Sequence, residues 1–241
     1  MHLVTSLLHE SRPDGIEILR LNRPEKRNAL DTATTLLLND ALRKIAADPD
    51  ARVVIISTTS TTALCAGADV GEPLDAAGGV ARMEAYADLY RLADEVPVPT
   101  IAVCVGNCVG AGAEIVAACD FRVGGDNLKL AWAGARLGVP VGPARLTQLV
   151  GLARAKDLIY TSRSIGMDEA ASYGLLQHTA NAEDAEATAI ELAEALTKQS
   201  AGGLRTIKRM FRELEGNAER IAYENEELLA FQRKGAGLPQ G

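Results

Sequence analysis

From Pro97 to Val123 the chain reads PVPTIAVCVGNCVGAGAEIVAACDFRV, and between Ile101 and Cys119 only one side chain, Glu114, carries a formal charge. A stretch this apolar belongs inside a fold. The breaker Pro97-Val98-Pro99 announces TIAVCV (Thr100 to Val105), a continuous apolar run of the kind that suits a strand buried on both faces. Residues 106–120 then read as a glycine turn and a short helix, with a new strand beginning at DFRV. Two earlier runs, GIEILRLN (Gly15 to Asn22) and RVVIIS (Arg52 to Ser57), also read as strands. Helices fall between them. Asp31 can cap one whose Leu37, Ala41, Leu42 and Ile45 share a side and which ends near ADPD, and a second runs from about Val80 to Glu95. Strands alternating with helices in this way predict a parallel-rich α/β core.

From about Asp157 the pattern turns helical, in DEAASYGLL, DAEATAIELAEALTKQ and AERIAYENEELLAFQ, and the tail KGAGLPQG reads as frayed. The expected organisation is a core over residues 1–175 and a helical C-terminal lobe over 176–241, serving subunit contacts and covering the site. In 241 residues, 25 basic and 32 acidic side chains give a formal charge of −7, which argues against a nucleic-acid partner held by bulk electrostatics. Cys65, Cys104, Cys108 and Cys119 sit in apolar company without metal-ligand spacing and read as reduced, buried thiols. There is no apolar run of about 18 residues to suggest a membrane span, and MHLVTSLLHE lacks the pattern of a signal peptide. A cytoplasmic protein is expected.

Glu114 is the residue that calls for an explanation. A carboxylate is costly to bury, and burial raises its pKa toward the range where it can exchange protons at neutral pH. Two glycine-bearing turns follow the buried strands, LCAGADV (Leu64 to Val70) and GAGAEI (Gly110 to Ile115). Small residues there let a ligand approach the backbone, and N–H groups from two such turns can converge on one carbonyl oxygen as an oxyanion hole. Tight packing alone is the competing reading. A dinucleotide site is disfavoured, because Gly110-Ala111-Gly112 is followed by Ile115 where a third glycine is needed. No G-x-S-x-G elbow or phosphate loop is present, and the three histidines, His2, His9 and His178, do not suggest a triad or a metal cluster. Carboxylate chemistry remains.

Four ordered segments, LNRPEKRNAL (Leu21 to Leu30), LCAGADV, the Pro97–Val123 stretch and RLGVPVGPARLTQLVGLARAKDLI, resemble the crotonase, or enoyl-CoA hydratase/isomerase, superfamily over about residues 14–175. The resemblance implies a crotonase-like ββα spiral with a helical C-terminal lobe, assembled as a homotrimer or homohexamer and acting on an acyl-CoA thioester, as in fatty acid metabolism. It implies that the N–H groups of Ala68 and Ala111 hold the thioester oxygen and that Glu114 is a general acid/base. Coenzyme A contacts map to Ala66, Ala68, Asp69, Val70 and Gly71, with Lys26 near a phosphate. Coenzyme A is then part of the substrate, and no metal or other cofactor is implied. Asp69 as a turn cap and Lys26 as a solvated charge are the bland alternatives.

The sequence departs from the family at the second catalytic glutamate, where WAGARLG places Gly134, and the glycine-rich segment that usually follows is shortened to VPVGPARL. A positioned acid or base contributes about 10²–10⁴-fold, so ordinary hydration is expected to suffer, while chemistry that moves a single proton survives. Gly134 is expected to open volume for a bulkier acyl group. The following helix offers Tyr86 as an accessory donor, and Trp132 and Arg136 flank Gly134 as residues that shape the pocket. The alternative is an acyl-CoA-binding protein on the same scaffold with little or no catalysis.

Overall fold

The computed structural model of the protein describes residues 5–234 and 237–238. His2 and most of the tail expected to fray lie outside the described residues. The chain opens with a hairpin, β1 (Leu7–Ser11) and β2 (Ile16–Leu21), then a 3-10 turn at Pro24–Lys26 and helix α1 (Thr32–Ala47). Three strand, strand, helix units follow: β3 (Val53–Thr58), β4 (Ala63–Cys65) and α2 (Ala76–Glu95); β5 (Thr100–Cys104), β6 (Asn107–Val109) and α3 (Ala111–Ala118); β7 (Phe121–Gly125), β8 (Lys129–Ala131) and α4 (Gly134–Leu137). The remainder is α5 (Pro143–Val150), α6 (Leu152–Thr161), α7 (Met167–Ser172), β9 (His178–Ala180), α8 (Ala185–Thr197), α9 (Ala201–Glu215) and α10 (Asn217–Lys234).

The repeat generates the architecture. The first strand of each unit enters a six-stranded sheet of order β1-β2-β3-β5-β7-β9, and the second enters a three-stranded sheet of order β4-β6-β8. All pairings are parallel except β1 with β2. Alternation along the strands buries both faces: Ile16, Ile18, Val53, Ile55, Ile101 and Val103 pack toward Ala185, Ala189 and Ala193 of α8, while Leu19, Leu21, Val54 and Ile56 face the larger core with Leu38, Leu42 and Leu89. The segment expected to be a helical lobe from residue 176 therefore begins with a strand of the main sheet and a helix on its face.

Local chemistry sets the helix starts. Asp31 accepts from Thr34 N at 2.7 Å to cap α1, and Asp75 accepts from Gly78 N at 2.7 Å to cap α2. The second cap starts α2 at Ala76, four residues before the expected Val80, despite Gly78 and Gly79 in its first turn. No helix among the described residues is long and apolar enough to cross a membrane.

Candidate active site

The two glycine turns lie against each other. After β4 the chain passes through Gly67 at φ +107°, and after β6 through Gly110 at φ +55°, conformations that side chains disfavour. A Cβ placed on Gly110 would sit 3.8 Å from Gly67 Cα, and one on Gly67 would sit 3.1 Å from Val109 O. Gly112 allows α3 to approach still closer, since a Cβ there would meet Cys65 O at 2.2 Å. Backbone atoms cannot swing aside from that contact. Gly112→Ala is expected to cost about 1–3 kcal/mol in a denaturation experiment and to shift the first turn of α3 away from β4.

Several neighbouring amides are tied down, but those of Ala68 and Ala111 are not. Ala66 N donates to Arg27 O at 3.0 Å, Asp69 N to Leu30 O at 2.8 Å, and Gly110 N to Ala131 O at 3.0 Å. Among the described residues the N–H groups of Ala68 and Ala111 have no acceptor, and Ala111 is the first residue of α3, where no intrahelical partner exists. Both alanines line a cavity of about 460 Å³. Its lining also holds Lys26, Ala66, Asp69, Val70, Tyr86 and Gly134; Gly71 is not part of it. The Asp69 carboxylate accepts from Arg23 Nη2 at 3.0 Å and from Gly71 N at 3.2 Å, so it braces its own turn. From α2, the fully buried Arg82 donates to Asp69 O at 3.1 Å and pins the same turn.

Glu114 is completely buried and is not on the cavity lining. Its Oε2 accepts from Arg145 Nη1 at 3.0 Å, and the same nitrogen reaches Glu224 Oε1 at 2.7 Å. The other oxygen of Glu224 accepts from Ala144 N at 2.8 Å, which ties α10 to the start of α5. One guanidinium thus serves two carboxylates. Burial first, and then the charge of Glu224, push the Glu114 carboxyl up to about 8, with Arg145 pulling the other way. Among the described residues Glu114 Oε1 has no hydrogen-bond partner, and it lies 3.4 Å from the point where a side chain on Gly142 would begin.

The family model described as enoyl-CoA hydratase/isomerase matches residues 11–233. The chain belongs to the enoyl-CoA hydratase/isomerase family. It is 32% identical over 200 residues to a Mycobacterium tuberculosis protein named as a probable enoyl-CoA hydratase, covering 82% of this chain and 77% of the relative. It is 32% identical over 178 residues to the crotonyl-CoA hydratase of Syntrophomonas wolfei, covering 72% and 68%. The solved enoyl-CoA hydratase of Bacillus anthracis is 27% identical and superposes with a TM-score of 0.83 over 98% of this chain and 100% of the other. An enoyl-CoA hydratase/isomerase structure from Xanthobacter autotrophicus, 24% identical, shares the fold with a TM-score of 0.86 over 98% and 90%. The expected crotonase-like α/β fold is the one observed.

Within this enoyl-CoA hydratase/isomerase family member, Gly134 does not leave the open volume expected of it. A Cβ there would meet Val139 O at 2.7 Å and Val141 Cγ1 at 3.1 Å, because the short 138–142 return folds back over α4. The space is filled by the chain itself. Gly134→Glu is therefore expected to lose about 1–3 kcal/mol of stability by overpacking and to add no crotonyl-CoA hydration in a spectrophotometric assay.

Tyr86, expected as an accessory donor, lines the cavity but gives its proton to Leu30 O at 2.6 Å. Trp132 is buried in the main core and Arg136 donates to Ser162 O at 3.2 Å; neither lines the cavity, so the flanks of Gly134 do not shape it as expected. His9 bonds Glu17 across the β1–β2 hairpin and His178 is an exposed residue of β9. Sequence reasoning missed Arg145, Glu224 and Arg82. The first two have a legible signal in hindsight: Ile221, Glu224 and Leu228 recur at helical spacing, which turns Glu224 inward with two core residues.

Proposed function

We propose that this protein transforms an acyl-CoA thioester through an enolate, using the Ala68 and Ala111 N–H groups as the oxyanion hole and Glu114 as the single acid/base. The observation that carries the reading is the pair of uncommitted amides on two adjoining glycine turns, opening on one cavity. The thioester oxygen accepts from both. Glu114 then takes a proton from the carbon next to the thioester carbonyl; the C–H pair becomes the enolate double bond and the negative charge settles on the oxygen that the amides hold. A carboxyl near 8 suits that exchange, since it changes charge close to neutral pH. Lys26, at the mouth, would meet a phosphate of coenzyme A.

With Gly134 where the second carboxylate stands in the hydratases, the reading favours steps that need one proton moved: double-bond migration, retro-aldol cleavage or decarboxylation. Assembly as a homotrimer or homohexamer belongs to the same reading; the exposed Ile207, Met210, Phe211 and Leu214 of α9 support it, and light scattering would test it. One observation favours the second reading, an acyl-CoA-binding protein without turnover: Glu114 is sealed and ion-paired. A panel of enoyl-, hydroxyacyl- and malonyl-type thioesters separates the two. Turnover of any of them supports the enzyme, and tight binding with no turnover supports the binder.

A further inference from the structure

We infer that Tyr90 is the specificity-determining contact for the acyl group: its hydroxyl donates to an oxygen carried on the acyl chain close to the reacting carbons, so the substrate is an oxygen-bearing acyl thioester. The inference rests on the thioester reading of the cavity.

Tyr90 lies one helical turn after Tyr86 on α2, and the two rings stack with centroids 6.3 Å apart. Both line the cavity, but their hydroxyls are in different states. That of Tyr86 is spent on Leu30 O, whereas that of Tyr90 makes no hydrogen bond among the described residues. Nor is it sealed, unlike Glu114 Oε1, Trp132 Nε1 and Arg145 Nε, which are buried without partners. A residue only 4% exposed that keeps an accessible, unbonded hydroxyl presents it to the cavity it lines. The neighbouring wall, Met83, Leu137, Val139, Val141 and Leu228, offers no competing donor.

The position is fixed by the buried charges behind it. Arg145, bonded to Glu114, holds its guanidinium 5.1 Å from the centre of the Tyr90 ring, which sets that ring beside the Glu114 ion pair. Burial, and then the Glu114 charge, hold its pKa well above the usual phenol value, so it remains a neutral O–H donor. An acyl group with an acceptor oxygen there satisfies a donor that a plain alkyl chain would strip of water and leave unpaired.

Calorimetric binding of 3-hydroxybutyryl-CoA and butyryl-CoA to wild type, Tyr90→Phe and Tyr86→Phe tests this. Wild type should prefer the oxygenated thioester by about fivefold to tenfold; Tyr90→Phe should erase the preference, with butyryl-CoA binding at least as tightly as to wild type, and Tyr86→Phe should keep it. No preference in wild type, or one that persists in Tyr90→Phe, overturns the role of Tyr90 while leaving thioester binding intact. Failure of both thioesters to bind wild type would overturn the thioester reading and this inference with it.

Discussion

Glu114→Gln is expected to lower turnover of whichever thioester the protein transforms by about 10²–10⁴-fold, with thioester affinity nearly unchanged, because the amide keeps the shape but cannot exchange the proton. Stability should move the other way. The folded-state carboxyl lies at about 8 against an ordinary 4.5, so between those pH values the folded protein holds a proton that the unfolded chain has released. Stability carried by Glu114 is therefore complete below about pH 4.5 and declines as pH rises toward 8. Glutamine has no such dependence, so the variant's advantage in urea melts should grow from pH 5 to pH 8 and then level off. In the proton-abstracting direction, wild-type kcat/KM should rise over the same interval. A variant with wild-type turnover, or a stability difference flat with pH, would remove Glu114 from this role.

Arg145→Met is expected to be the most destabilising single change near the site, by about 3–5 kcal/mol. Arg145 is 6% exposed, and its removal leaves Glu114 and Glu224 facing one another without a cation. The loss should be greatest above pH 8, where Glu114 is ionised. Adding Glu114→Gln to Arg145→Met should recover part of the stability, and the double-mutant cycle in urea measures the coupling. Lysine should restore the charge, since a single nitrogen of Arg145 meets both carboxylates, but not the planar cation over the Tyr90 ring. A loss under about 1 kcal/mol would mean that water reaches these carboxylates.

The strands β2, β3 and β5 were readable because each is a run of five or six apolar-rich residues with breakers nearby. β4, β6 and β8 are three residues each, too short for any periodicity, yet two of them deliver the turns that carry Ala68 and Ala111. The burial of Glu114 was legible as one charge in an apolar run. Its counter-ion was not. Arg145 follows a proline-led helix start, and Glu224 stands in the charged run Tyr223–Leu228, which reads as a solvated face until the helical spacing is followed inward. Gly134 shows the opposite failure: a missing side chain reads as empty space, but only tertiary folding reveals that Val139 and Val141 occupy it. Tyr86 and Tyr90 share one helix face, and their hydroxyls are told apart solely by the Leu30 carbonyl that reaches the first.

Two backbone amides gripping one carbonyl oxygen is the most directly measurable part of the account. The infrared difference spectrum of bound butyryl-CoA, isotope-labelled at the thioester carbonyl, reports that grip without requiring turnover. The C=O stretch should move to lower frequency than for the same thioester in water, as two N–H donors polarise the bond, and the shift should shrink when Gly112→Ala displaces Ala111. A stretch at or above the aqueous frequency in wild type would contradict it.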